Sequence, residues 1–152
     1  MSGYYQLRFS ANTDLTIGDE WYNWQALENL PACQVFQFPP ASELRFRLSP
    51  VAEAGEFAII EIPLQAALDT MLPQMRYQLN PYRWHRVKQQ LSQGEIENPE
   101  MGYGYSGADL MDGRHRIVAM MRLMGMDRAP FAVHPDRAEA VRDHFARLAL
   151  QA

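Results

Sequence analysis

Lysine and cysteine are almost missing from this chain of 152 residues, each occurring once, as Lys88 and Cys33. A single cysteine excludes an internal disulfide framework and a cysteine-based zinc cluster. No apolar run approaches the roughly 20 residues that span a bilayer. The N-terminal stretch MSGYYQLRFSANTD lacks the basic start and apolar centre of a secretory signal. A cytoplasmic protein without membrane contact is therefore expected. His85, His115, His134 and His144 have no metal-type spacing, so no metal held by the protein alone is expected.

What is present is an ordinary globular composition, 47% hydrophobic, with a net charge of −4. The length suits one domain with a real core. The mild negative charge argues against coating nucleic acid through bulk charge. Its distribution is uneven: residues 1–69 sum to −6 and residues 70–152 to +2. Between Thr70 and Gly94 there is no acid, while Arg76, Arg83, Arg86 and Lys88 are present. Thirteen of the fourteen basic residues are arginine, the side chain suited to bidentate contact with phosphate or carboxylate. Arg83, Arg86 and Lys88 are thus candidate nucleic-acid contacts, or simply a solvated basic face. Tyr77, Tyr82 and Trp84 interleave with these arginines and offer stacking surfaces, although Trp84 falls on the inferred buried face. Tyr103 and Tyr105, beside flexible glycines, are further stacking candidates.

Periodicity predicts interleaved strands and helices, an α+β (mixed α/β) domain. A mixed apolar stretch over 12–30, with Trp21, Tyr22 and Trp24, suggests a short helix ending near Pro31. QVFQF (34–38) alternates like a strand and stops at Pro39-Pro40. The stretch 41–56 reads as loop, with a short strand at Leu44-Phe46-Leu48. FAIIEI (57–62) reads as a buried strand, and Leu64, Ala67, Leu68 and Met71 keep helical spacing. Asn80-Pro81 resembles a helix start, with Trp84, Val87 and Leu91 on one face and Gly94 at the end. MGYGYSGADLM (101–111) has the look of a hairpin. A helix from Arg114 to Met124, ended by Gly125, places Ile117, Met120, Met121 and Met124 together as core. PFAVHP (130–135) reads as a strand, and 136–150 as a helix with Ala138, Val141, Phe145 and Leu148 inward.

The run Asp112-Gly113-Arg114-His115-Arg116 stands out, because basic residues crowd the predicted start of a helix. A helix N-terminus is its positive end and ordinarily attracts acids. Glycine there permits unusual backbone angles and close approach of a ligand, and the first N–H groups of the helix face the same point. Backbone and side chains together make an anion site.

Taken with its surroundings, "DGRHRIVAMMRLMGMDRAPFAV" resembles the ParB/sulfiredoxin superfamily, whose short motif Gly-x-His/Arg-Arg opens a helix that ends in glycine before a strand. "FAIIEIPLQAAL", "MRYQLNPYRWHRVKQQLSQG" and "IENPEMGYGYSGADLMDG" follow the same order of elements, so the resemblance covers roughly residues 57–134. It implies a ParB/sulfiredoxin-like core over 57–135, an N-terminal extension over 1–56 packed on it, and a C-terminal helix over 136–152. Sulfiredoxins carry cysteine where this chain has Arg114, so sulfinic acid reduction is not expected. Partition proteins have a double arginine and a following helix-turn-helix domain, whereas here His115 precedes Arg116.

By this resemblance Gly113, His115 and Arg116 match nucleotide-phosphate contacts, Arg114 holds the variable position between them, and Arg76 matches an arginine in the loop after the first strand. Phosphoryl transfer also needs a carboxylate to orient the nucleophile. Asp112 and Glu61 are the candidates beside His115 and Arg116, although Asp112 equally suits a helix cap and Glu61 an exposed strand position. The expected cofactors are ATP or another nucleoside triphosphate, with Mg²⁺ held by phosphates and water. The expected activity is phosphate-ester hydrolysis, as ATPase or DNase, with fertility inhibition of plasmid transfer the best-fitting context. The alternatives are a free-serine-type kinase, and a non-enzymatic inhibitor that docks a protein partner through residues 12–30.

Overall fold

The computed structural model describes residues 4–10, 13–18, 36–76, 79 and 81–151. Eight strands, five α-helices and three single-turn 3-10 helices are assigned among them. Strands β1 (Tyr4–Ser10) and β2 (Thr13–Gly18) form an antiparallel hairpin. The helix expected over 12–30 is therefore replaced by strand at its beginning, and its remainder lies outside the described residues. So do Tyr77, the cap candidate Asn80, and the first two residues of the strand expected at 34–38. Residues 36–38 of that segment are not a strand. Pro39 and Pro40 have no N–H to offer a ladder, and Phe36 and Phe38 instead pack partly buried, Phe38 on the core and Phe36 beside His85.

Strand β3 (Arg45–Arg47) pairs in parallel with β5 (Glu95–Glu97), with Phe46 opposite Ile96. Between β3 and the main sheet, helix α1 (Pro50–Ala54) starts at Ser49, whose hydroxyl accepts from the Ala52 N–H. Ser49 before Pro50 is a cap-and-proline start, which makes 50–54 a helix within the stretch expected as loop.

The main sheet has the order β4-β8-β6-β7. It comprises β4 (Ala58–Pro63), β6 (Glu100–Gly104), β7 (Gly107–Asp112) and β8 (Arg128–Val133). The β4–β8 and β6–β7 pairs are antiparallel, and β6–β8 is parallel. In β4, Ile60 and Ile62 are buried while Ile59 and Glu61 are exposed, so the strand is half-buried rather than buried throughout. Phe131, Ala132 and Val133 are all buried. Because successive strand residues face opposite sides, the sheet is covered on both faces at β8.

Helix α2 (Leu64–Leu68) follows β4 directly and buries Leu64, Ala67 and Leu68. Helix α3 (Pro81–Ser92) begins with proline, buries Trp84, Val87 and Leu91, and exposes Arg83 and Arg86. Helix α4 (Arg114–Met124) buries Ile117 and Met120, leaves Met121 and Met124 partly buried, and ends at Gly125, whose left-handed backbone lets the Met126 N–H donate to the Met120 carbonyl. Helix α5 (Ala138–Gln151) packs against β4, β6 and β7. Its Ala138, Val141 and Phe145 are buried as expected, but Leu148, one turn further on, is 40% exposed. At the hairpin tip the Ala108 N–H donates to Nδ1 of His144 on α5, at 3.3 Å. No helix among the described residues is long and apolar enough to cross a membrane.

Candidate active site

The end of β7 runs straight into α4 through Gly113, and this turn is the centre of the site. Gly113 has φ 110°, a backbone region that disfavours any side chain. A Cβ added here would also stand 2.8 Å from the Pro99 side chain. The glycine is thus required by the turn and by its packing on Pro99. Asp112 does not cap the helix; the capping position is Gly113 itself, which has no side chain to offer.

Beside this turn opens a cleft of about 550 Å³. Arg83, Arg86 and Gln90 line it from α3, and Arg114, His115 and Arg116 from the start of α4. Two carboxylates, Glu97 and Asp112, and the apolar Met71, Val87, Leu110 and Met111 complete the lining. The two helices thus bring four arginines, and the ends of β5 and β7 two acids, to one concave surface. The residues proposed from sequence as separate phosphate and nucleic-acid surfaces, 113–116 and Arg83 with Arg86, meet here in one place.

Arg116 holds the cleft together. Its Nη1 donates to the carbonyls of Glu97 and Asn98 at 3.0 Å each, and its Nη2 meets the Asp112 carboxylate at 2.9 Å. The Glu97 carboxylate stands 4.0 Å from the same Nη1. With its side chain only 11% exposed, Arg116 commits both terminal nitrogens to the protein. It fastens the end of β5 to the start of α4, which corrects the picture of an arginine aimed wholly at a ligand. Arg114 reaches the other way and donates from Nη1 to the Met75 carbonyl at 2.9 Å.

His115 is buried, and its pKa is lowered to about 3, first by burial and then by Arg114, Arg83 and Arg116. The imidazole is therefore neutral at physiological pH and offers one donor and one acceptor. It adds no positive charge to the cleft and is too weak a base for proton transfer near pH 7. A neutral imidazole thus stands where the sequence places a basic residue at the start of α4.

Three other candidates lie elsewhere. Glu61 is exposed on β4, opposite Pro130. Its strand is three positions from β7 in the sheet, about 14 Å at the usual strand spacing, so it does not serve the cleft. Arg76 closes the turn after α2 by donating to the carbonyls of Asp69 and Met71, with the Asp69 carboxylate 3.4 Å from Nη1. It is not among the residues that line the cleft. Lys88 is fully buried, with its ammonium 5.7 Å from the Phe36 ring centre, so it is no nucleic-acid contact. Its position is the fourth after Trp84, on that residue's face of the helix, and the spacing itself carried this signal.

Glu100 is a further acid beside the turn, with no motif of its own in the sequence. It lies opposite Asp112 across β6 and β7, and its pKa is raised by burial and by the Asp112 charge, against the pull of Arg116 and the Ser49 hydroxyl. Only the strand register reveals that neighbourhood. Among the described residues no cluster of three or more His, Cys, Asp or Glu is placed to hold a metal ion.

A larger cavity, about 780 Å³, lies at the β6–β7 tip and is lined by Asp69, Asp109, Thr70, Ser106, Tyr105 and His144, among others. Its lining lacks arginine and lysine, whereas four arginines line the first cleft. No protein-family model, curated protein or solved structure matches the chain.

Proposed function

We propose that the cleft between α3 and α4 binds the phosphate of a nucleotide, and that the protein is a phosphate-ester hydrolase of ParB/sulfiredoxin type. One observation carries this reading: Arg83, Arg86 and Arg114, from two helices, line the same cleft as the glycine-opened start of α4. Arginine forks and helix N-termini are the two protein devices best matched to phosphate oxygens. Asp112, exposed at the cleft edge, is the carboxylate proposed to orient an attacking water. The described carboxylates do not by themselves form a metal cage, so Mg²⁺ is assigned to the nucleotide phosphates and their waters.

Titration of ATP, CTP and GTP with Mg²⁺ against the wild type and Arg114→Ala tests the binding. Binding by the wild type, weakened about tenfold in the variant, is the expected result. No binding of any nucleotide to the wild type overturns the reading. Phosphate release from ATP, and nicking of plasmid DNA, then decide which ester is cut.

A further inference from the structure

The larger cavity opens at the start of β7, the end away from the α4 turn, and shares no lining residue with the α3–α4 cleft. Its walls are fastened to one another. The Ala108 N–H donates to Nδ1 of His144 on α5 at 3.3 Å, and the Leu110 N–H donates to the Thr70 hydroxyl at 3.1 Å. β7 is an edge strand of the main sheet, so these contacts moor that edge to α5 and to the turn after α2. The Thr70 hydroxyl is itself fixed, donating to the Ala67 carbonyl at 2.7 Å. A Cβ added at Gly107 would stand 2.7 Å from the His144 ring. The cavity is therefore preformed by the packing of the hairpin on its neighbours.

Its lining combines two carboxylates, an aromatic ring and a hydroxyl, from Asp69, Asp109, Tyr105 and Ser106. The carboxylates are not equivalent. Oδ1 of Asp69 accepts from the Gln65 amide at 2.9 Å and faces Nη1 of Arg76 at 3.4 Å. Asp109 is exposed on β7 and makes no ion pair or side-chain hydrogen bond among the described residues. Tyr105, at the hairpin tip, is fully exposed, and its ring adds nothing to the core. With Nδ1 of His144 accepting the Ala108 N–H, the imidazole carries its proton on Nε2 and brings no positive charge.

We infer that this cavity seats a guanidinium group, held by the Asp109 carboxylate and the face of the Tyr105 ring, independently of the nucleotide reading above. A guanidinium is planar and always charged, forks onto a carboxylate and stacks on an aromatic face. The tyrosine ring attracts the same charge, and the Ser106 hydroxyl can accept one more N–H. Asp69 adds negative charge across the cavity, shared with Arg76. An anion would meet two carboxylates and no arginine or lysine, and an apolar ligand would strip water from those carboxylates without replacing it. The two ends of β7 thus serve sites of opposite charge preference. A free guanidine compound and an arginine side chain of a polypeptide present the same group to this seat.

The experiment is a calorimetric titration, at low ionic strength, of n-propylguanidine, acetyl-Gly-Arg-Gly-amide and its citrulline counterpart into wild type, Asp109→Asn and Tyr105→Leu. Both replaced residues are exposed, so all three proteins should melt alike. Wild type is expected to bind both guanidinium probes. The citrulline peptide, alike in shape but uncharged, should bind at least about tenfold more weakly than the arginine peptide. Asp109→Asn should weaken both guanidinium probes about tenfold, and Tyr105→Leu about threefold. Citrulline bound as tightly as arginine overturns the inference, as does an affinity unchanged in Asp109→Asn or in Tyr105→Leu, or a wild type that binds neither guanidinium probe. The two probes also separate the sources, and both results uphold the seat. An arginine peptide bound at least about tenfold more tightly than n-propylguanidine identifies a polypeptide side chain as the occupant, and equal affinities identify a free guanidine compound.

Discussion

Nη2 of Arg116 lies 2.9 Å from Oδ2 of Asp112, one helical turn earlier in the chain. The same guanidinium holds two carbonyls at the end of β5. One side chain therefore fixes three segments: the end of β5, the end of β7 and the start of α4.

Arg116→Ala should destabilise the fold by about 2 kcal/mol, since it leaves part-buried carbonyls and a carboxylate without their donor. For a chain of this size that is a drop in Tm of roughly 4–8 °C. Lysine at 116 should restore only part of it, having no fork. Thermal melts of both variants beside Arg83→Ala check this; an Arg116→Ala protein that melts with the wild type would show that the clamp is dispensable.

Gly113→Ala is expected to cost about 2 kcal/mol or more, from its backbone angle and the approach of Pro99. Because the turn also aims the α4 start into the cleft, nucleotide affinity should fall with stability. A variant as stable as wild type in urea denaturation would refute the strained-turn account.

The pKa of His115, lowered to about 3 in the fold from about 6.5 unfolded, makes stability depend on pH. Between those values the unfolded chain binds the extra proton, so stability rises with pH there and is fully present above about 6.5. Falling pH removes it progressively toward 3. Glu100 acts with the opposite sign: its raised folded pKa means that the fold binds the extra proton, and stability falls as pH rises through that window. Urea midpoints from pH 7 to pH 4 should therefore decline less steeply in His115→Gln than in wild type. Parallel declines would remove His115 from the account of acid sensitivity.

Lys88→Met should leave ATP affinity within about twofold of wild type, because the ammonium is buried beside Phe36 and away from the cleft lining. Methionine is close in volume and suits an apolar site. A tenfold loss of affinity with an unchanged melting curve would return Lys88 to the ligand.

Helix α4 was legible because its two ends are marked by glycine and its apolar residues repeat at helical spacing. The α3 face was legible for the same reason, down to Trp84 as core. Strand β5 was not: three residues beside a proline carry no pattern of their own, and the parallel pairing with β3 exists only through tertiary contact. Because β5 was invisible, so was the inward engagement of Arg116, whose partners are its terminal carbonyls. The α5 stripe failed only at Leu148, where the regular repeat continues past the surface it packs on. Glu61 illustrates the same limit, since the order of strands along the chain does not show that β4 stands three positions from β7 in the sheet.

The hydrogen bond from Ala108 to His144 ties the hairpin tip to the last helix. Undocking α5 would free the Ala108 amide and unmoor the strand that ends at Asp112. Amide exchange at Ala108 should therefore report the departure of a helix whose residues never enter the α3–α4 cleft, so that the exchange kinetics of a distant amide measure how often the cleft's own wall loosens.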